Sequence, residues 1–374
     1  MDIIAGKDRT SSLAEGDLGA VAAVPGEPAG GAAYRVAEPA AACVGRREAR
    51  GRLDQLYEPI RDQLEGCERI LRAELRNENA YVDQLVRHGF RLGGKRLRPA
   101  LLLLAARAAG NVTDEHLVLA AVVEMIHTAT LVHDDVLDGA TVRRHLHTLN
   151  SRWGNEASVL VGDYLFTHSF YLASTLSDTF ACRTIGRATN LVCEGELRQI
   201  ESRGNFDLGQ DEYLAIIEAK TAELCACSCL LGAHYAVTGV QQGRAVEEAL
   251  ARYGRWLGIA FQITDDLLDL VGHEAATGKS MGTDLALQKP TLPIIRLLEQ
   301  AGPRRHEVVE LLAGNSSRPE ALQAWFQRTD ALAYTREKAA EFARKASDEL
   351  RLLPASPARE VLLQLAGFVV DRRQ

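Results

Sequence analysis

Two aspartate-rich segments about 130 residues apart, each set inside apolar sequence, constrain this chain more than any other feature. The first is His133-Asp134-Asp135-Val136-Leu137-Asp138, after the apolar stretch from Met125 to Val132. The second is Gln262-Ile263-Thr264-Asp265-Asp266-Leu267-Leu268-Asp269, after Leu257 to Phe261 and before Leu270-Val271. On a helix, residues four apart share a face at about 6 Å. Asp134 then aligns with Asp138, and Asp265 with Asp269. Three carboxylates within one turn repel, and burying them beside Val, Ile and Leu is unfavourable without a compensating cation. A hard divalent ion is the natural compensation. Mg²⁺ takes a few carboxylates together with water and phosphate oxygens, which suits a site that holds a diphosphate between two such faces. One cluster alone reads equally well as a solvated helix face; the repetition points to a pair acting together.

Basic groups supply the other half. Gly93-Gly94-Lys95-Arg96-Leu97-Arg98-Pro99 sets three cations after a flexible glycine pair, and Arg143-Arg144 follows the first acidic segment. Both can bind diphosphate oxygens, Arg in bidentate fashion. An exposed basic turn is the bland alternative for either. The stretch Gly272 to Ser280 imitates a phosphate-binding loop, but His273 stands where Walker spacing needs Gly, and a helix rather than a strand is expected before it.

The chain of 374 residues is 47% apolar and 25% charged, enough to bury a full core. Its net charge of -7 excludes a general basic field for nucleic acid or an anionic membrane. Seven scattered cysteines without a CxxC framework argue for a reducing compartment. In Cys225-Ala226-Cys227-Ser228-Cys229 only Cys225 and Cys229 share a helical face, and small core residues explain them better than metal ligands. The first residues carry Asp2, Asp8, Glu15 and Asp17 without an apolar core, unlike a secretory or transit signal. The run Pro99 to Ala106, ended by Arg107, is too short to cross a bilayer. A cytoplasmic location is expected.

Residues 1–45 are rich in Ala, Gly, Pro and Glu without a sustained period and are expected to form a disordered tail. From Arg46 onward apolar residues recur at helical spacing, as in Leu53, Leu56, Ile60 and Leu64. Thr113-Asp114-Glu115 opens a helix running to about Leu137, Gly154 and Gly254 punctuate others, and Gly204 to Gly209 reads as a loop. No linker or solenoid repeat divides residues 46–374, which predicts one all-α domain.

The motifs GGKRLRP, DDVLD followed by Arg143-Arg144, Lys220-Thr221, FQITDDLLD and Lys289-Pro290-Thr291-Leu292-Pro293 together resemble the trans-isoprenyl (polyprenyl) diphosphate synthase family, in order and spacing over about residues 50–372. Ile126 to His133 and Val159 to Asp163 look like segments of its long-chain subgroup, of which octaprenyl diphosphate synthases are typical. The resemblance implies a large helical bundle around a central cavity and elongation of an allylic diphosphate by isopentenyl diphosphate units. It implies that Asp134, Asp135, Asp138, Asp265 and Asp269 ligate Mg²⁺, three ions with diphosphate bound, and that Asp266 lies nearby. Arg143, Lys220 and Lys279 would grip the allylic diphosphate, with Thr221 and Gln262 beside it. Lys95, Arg98, His127 and Arg144 would hold isopentenyl diphosphate, and Lys289 would help close the site. A homodimer without a membrane span, releasing its product to the membrane, is implied as well.

Chain length is expected to be set above the first acidic segment. One and a half turns back from Asp134, about 7 Å along the axis, stands Ala129, where short-chain relatives often carry an aromatic plug. Met125, Ile126 and Val122 lie beyond it and could bound a deeper tunnel, so a long product is expected, with eight isoprene units the best single figure. The chain departs from the family pattern at His145 and His147, where Gly and Pro are frequent, at Thr283, where an acid is frequent, and at Gln288, where Gly is usual. His145 and His147 are poor candidates for metal ligands, since two residues apart on one element they diverge. A class I terpene cyclase shares the first motif but typically carries an Asn/Ser/Glu motif second. A non-catalytic subunit of a heteromeric synthase is expected to have lost acids or arginines that this chain keeps.

Overall fold

The computed structural model describes residues 53–92, 94–236, 240–271, 283–314 and 319–371, all within one compact unit, Pro39–Gln374. The proposed tail of residues 1–45, the phosphate-loop imitation at 272–280 and Lys279 lie outside the described residues. The described chain is helical in the order α1 (Arg61–Glu74), α2 (Ala80–Arg91), α3 (Leu97–Ala109), α4 (Asp114–Leu137), α5 (Leu149–Ser174), α6 (Phe180–Glu201), α7 (Gln210–Ile217), α8 (Glu223–Ala236), α9 (Val240–Val271), α10 (Thr283–Ala286), α11 (Leu292–Gln300), α12 (Arg305–Ala313), α13 (Pro319–Gln327), α14 (Ala331–Glu349) and α15 (Pro357–Val370). A two-residue ribbon, β1 (Val142–Arg143) and β2 (Leu146–His147), interrupts it between α4 and α5. The all-α expectation therefore holds.

The central helix α4 starts where its sequence requires. Thr113 and His116 cap each other reciprocally, the Thr113 backbone N–H donating to His116 Nδ1 at 2.9 Å. Asp114 and Glu115 in the first turn favour the positive end of the helix dipole. Its side chains are apolar nearly all round, as expected of a helix surrounded by protein. By length and hydropathy α4 could cross a membrane, but here most of it is buried in the protein.

Packing runs from α4 onto α5, α3 and α1, from α3 onto α8, from α8 onto α9, and from α9 onto α14. Helices α4 and α9, which carry the two acidic segments, are thus joined through α3 and α8. Gly232 lets α8 meet α3 closely, since a Cβ there would collide with the Leu102 carbonyl oxygen. Gly254 serves the α8–α9 contact in the same way, with Cys225 O only 2.5 Å from where its Cβ would lie. A smaller cluster around Ile294, Leu297, Val308, Leu312 and Trp325 holds α11 to α13.

Several local expectations are corrected. Gly254 does not end a helix; it lies within α9, because the close contact with α8 outweighs its poor helix propensity. Gly154 does interrupt, with φ 83°, but as a kink inside α5. The period from Leu53 to Leu64 is broken by a 3₁₀ turn at Glu58–Ile60, where Pro59 cannot continue an α-helix. Arg107, which ends the apolar run as expected, lies inside α3, and its guanidinium donates to Pro59 O.

Candidate active site

The first acidic segment sits at the C-terminal end of α4. Asp134 and Asp135 lie in its last turn, and Asp138 is the C-cap, its N–H donating to Asp134 O at 2.8 Å. That end of a helix carries the negative pole of the macrodipole, so carboxylates there call for positive partners. Asp135, 1% exposed, receives Arg143 through Nε at 2.8 Å and Nη2 at 2.7 Å, both on Oδ1. Asp138 accepts from Arg203 Nη2 at 2.9 Å and from Lys289 Nζ at 3.1 Å. Burial pushes the Asp134 carboxyl up, and Glu196 and Asp138 add to the rise against the pull of Lys220 and Arg143.

Arg143 and Arg144 are placed by the ribbon, whose strands pair Val142 with His147 and Arg143 with Leu146. Its two-residue turn is left-handed at both positions, Arg144 at φ 52° and His145 at φ 63°. Such turns ordinarily use Asn or Gly. Arg144 Nη1 donates to Leu92 O at 2.7 Å, and a Cβ on Gly94 would collide with the same guanidinium. The ribbon and the Leu92–Arg98 segment are thereby locked together. Lys95 is exposed, while Arg98 is half-buried with its Nε buried and without a hydrogen-bond partner. The His127 imidazole is pushed well below the usual histidine range by desolvation and then by Arg98, Arg144, Arg143 and Arg96. A neutral histidine among several arginines makes surroundings suited to an anion.

Lys220 and Thr221 stand on a π-helical turn, Glu218–Ala222, between α7 and α8. Such turns recur at functional positions. A Cβ at Gly195 of α6 would lie 2.5 Å from the Lys220 backbone nitrogen, so the glycine permits this approach. Lys220 pairs with Glu196 and donates to Gln199 Oε1 at 2.7 Å. Its pKa is raised: Asp134 and Glu196 more than offset the desolvation that would lower it.

The second acidic segment is held differently. Thr221 Oγ1 donates to Gln262 Oε1 at 2.8 Å, Gln262 Nε2 to Asp266 Oδ1 at 2.7 Å, and Tyr213 Oη to Asp266 Oδ2 at 2.6 Å. Asp266 is therefore tied into the protein, 5% exposed, with its carboxyl raised to about 7 by burial and by Asp284. Asp265 lies within the electrostatic reach of Arg144. Asp269 Oδ2 accepts the Asp284 N–H at 3.1 Å, and Asp284 Oδ1 is 3.7 Å from Lys289 Nζ. Lys289 thus links Asp138 at the end of α4 with the Asp284–Asp269 pair at the end of α9. It follows Gln288, left-handed at φ 51°, whose carbonyl accepts the Gly204 N–H at 2.8 Å.

Ala129, Met125, Ile126 and Val122 are all fully buried on α4. A cavity of about 350 Å³ lined by Gln55, Leu56, Gln364, Gly367, Phe368 and Asp371 contains none of the predicted site residues. The interval between the acidic segments is crossed instead by Lys289. Arg203, Glu196, Gln199, Tyr213 and Asp284 were missed from the sequence. Only the helical spacing of Glu196 and Gln199, which places both on one face of α6, offered a signal.

Among the described residues no three His, Cys, Asp or Glu side chains already form a ready metal cluster. The donor set nevertheless fits a hard divalent cation: it is all oxygen, lies near two helix C-termini, and two of its carboxylates are held by Arg and Lys where a metal could compete.

Residues 79–328 match the family model described as polyprenyl synthetase. The chain is 35% identical over 327 residues to the octaprenyl diphosphate synthase of Escherichia coli (strain K12), covering 86% of this chain and 99% of that protein. It is 34% identical to the all-trans-nonaprenyl-diphosphate synthase (geranyl-diphosphate specific) of Rhodobacter capsulatus, covering 84% and 97%. Its fold matches a polyprenyl synthase from Caulobacter crescentus CB15, solved with calcium and isoprenyl diphosphate, with TM-score 0.81, 38% identity, and coverage of 86% and 98%.

Proposed function

The chain belongs to the polyprenyl synthetase family and is a trans-polyprenyl diphosphate synthase; from that premise we propose that it is Mg²⁺-dependent and makes a long all-trans product, with eight isoprene units the best single figure. Enzymes of the family are generally metal-dependent and join an allylic diphosphate to isopentenyl diphosphate. The observation that carries the reading is the Lys289 link between Asp138 and the Asp284–Asp269 pair, together with the four arginines whose charges reach His127.

In this reading Asp134, Asp135, Asp138, Asp265 and Asp269 hold three Mg²⁺ ions. The ions, when bound, draw charge from the leaving diphosphate. Arg143, Lys220 and Lys279 bind the same diphosphate, with Thr221 and Gln262 fixing the Asp266 side. Lys95, Arg98, His127 and Arg144 bind isopentenyl diphosphate. The allylic C–O bond breaks, its electron pair leaving with diphosphate, and the isopentenyl double bond attacks the allylic cation to form the new C–C bond. A proton then passes to the departing diphosphate and restores a trans alkene. Lys289 keeps water out by holding the two helix ends together, which prevents hydrolysis of the cation.

The long product is supported by Ala129, whose small side chain lies on the buried stripe with Val122, Met125 and Ile126. Ala129→Tyr is expected to shorten the product, read by chromatography of extracted products; an unchanged length would place the tunnel elsewhere. A homodimer is supported by exposed Leu160 and Tyr171 on α5 and Leu197 on α6. A cytoplasmic location, with the product passing to the membrane, is supported by free cysteines, including Cys225, Cys227 and Cys229 close together on α8.

The test is incubation of the purified protein alone with farnesyl diphosphate, labelled isopentenyl diphosphate and Mg²⁺. Elongation to a product of about eight units is expected. No product without a second subunit would favour a heteromeric partner instead.

A further inference from the structure

Of the three cations in the Gly93–Pro99 segment, the middle one is turned away from its neighbours' task. Arg96 is left-handed, φ 51°, immediately before α3. Its Nε donates to Glu68 Oε1 of α1 at 2.6 Å and its Nη1 to Glu124 Oε1 of α4 at 2.6 Å. Its Cζ also lies 5.3 Å from the Phe90 ring centroid. One guanidinium therefore ties α1, α4 and the start of α3 into a single joint, which a lysine with one point charge could not span as a fork.

Stability alone accounts poorly for this joint. Glu124 is 1% exposed, and its Oε2 is buried without a hydrogen-bond partner, as is Tyr57 Oη. A half-satisfied buried ion pair stabilises a fold less than apolar packing would. The backbone of Arg96 adds a conformation that residues with a Cβ disfavour. What the joint does achieve is placement. Glu124 lies three residues before His127, on the same face of α4. His127 in turn feels the charges of Arg98 and Arg144. With Arg96 fixed inward, Lys95 stays exposed and Arg98 lies in the first turn of α3 with its Nε still without a partner.

We propose that Arg96, clamped between Glu68 and Glu124, is a positioning residue that sets Lys95 and Arg98 in place for isopentenyl diphosphate. The inference rests on the reading that Lys95, Arg98, His127 and Arg144 take that substrate.

The test is steady-state kinetics of the full-length enzyme, with both substrates varied, on Arg96→Met, Arg96→Lys, Glu124→Gln and the double Arg96→Met/Glu124→Gln, alongside Lys95→Ala and Arg98→Ala. Arg96→Met is expected to raise KM for isopentenyl diphosphate about tenfold or more, with kcat and the KM of the allylic diphosphate changing less than about threefold. Arg96→Lys should fall between wild type and Arg96→Met. The double variant removes both charges and should recover thermal midpoint relative to Arg96→Met while keeping the high KM. If KM returns to the wild-type value with the thermal midpoint, or if both substrates lose affinity alike, the joint is only structural and the proposal is wrong. Should Lys95→Ala and Arg98→Ala leave that KM unchanged, the subsite assignment itself fails and the clamp loses its purpose with it. High KM in those two variants with a normal KM in Arg96→Met would overturn the clamp alone.

Discussion

The ends of α4 and α9 carry nearly the same motif, yet Asp135 and Asp138 of the first are held differently from Asp266 of the second. At α4 the carboxylates of Asp135 and Asp138 are matched by full positive charges from Arg143, Arg203 and Lys289. At α9 Asp266 accepts from two neutral donors, Tyr213 and Gln262, and Asp269 accepts the Asp284 N–H. Charge-assisted partners can move onto a diphosphate when a divalent ion takes over the acids, whereas a hydroxyl and an amide serve to fix geometry. Asp135 and Asp138 thus hold partners that an ion could displace, while Asp266 is held in a fixed geometry.

The largest effects should come from deleting either side. Asp134→Asn and Asp265→Asn should each lower kcat by about a thousandfold or more, read by incorporation of labelled isopentenyl diphosphate. A severe loss in only one of them would break the symmetry of role that the repeated motif implies.

Asp266 sharpens the contrast through pH. Its folded-state pKa of about 7, raised by burial and by Asp284, exceeds that of an unfolded aspartate. The folded protein thus binds more protons between about pH 4 and pH 7, and this group's contribution to stability falls as pH rises through that window. Asp266→Asn, which cannot ionise, should be more stable than wild type at pH 8 by on the order of 1–3 kcal/mol, with the difference vanishing near pH 4. Denaturant unfolding in chelator at the two pH values measures it.

Lys289→Met should act in the opposite sense. It leaves Asp138 and Asp284 short of a cation and should cost the metal-free protein about 1–2 kcal/mol. Added Mg²⁺ should recover part of that loss in thermal midpoint. The smallest effect is expected at Gln288→Gly, where relief of the left-handed backbone should change stability by less than about 1 kcal/mol, in the stabilising direction. Chemical denaturation resolves it.

How much of this was legible from residues alone depended on the range of the forces. The limits of α4 were readable because Thr113, Asp114 and the Asp134 to Asp138 end are local signals. Gly154 and Gly254 look alike in sequence, yet one kinks a helix and the other sits within a continuous one, since the Cys225 backbone packed on Gly254 is a tertiary contact. The aspartates and arginines could be named from composition and spacing, and Lys220 from the family resemblance alone. Their partners could not: Arg203 reaches Asp138 only because the loop after α6 is stitched to Gln288, and Arg96 turns inward only because Glu68 and Glu124 meet there. The left-handed turn at Arg144 and His145 was hidden for the converse reason, since Arg does not advertise positive φ and His does so only weakly.

Calorimetric titration of Mg²⁺ into the protein holding an unreactive allylic diphosphate analogue tests the central claim most directly, comparing wild type with Asp134→Asn and Asp269→Asn. If both helix ends would hold Mg²⁺ for one diphosphate, either change alone should remove Mg²⁺ sites and the sites should need the analogue. Undiminished Mg²⁺ binding after loss of either carboxylate, or the same binding without the analogue, would contradict it.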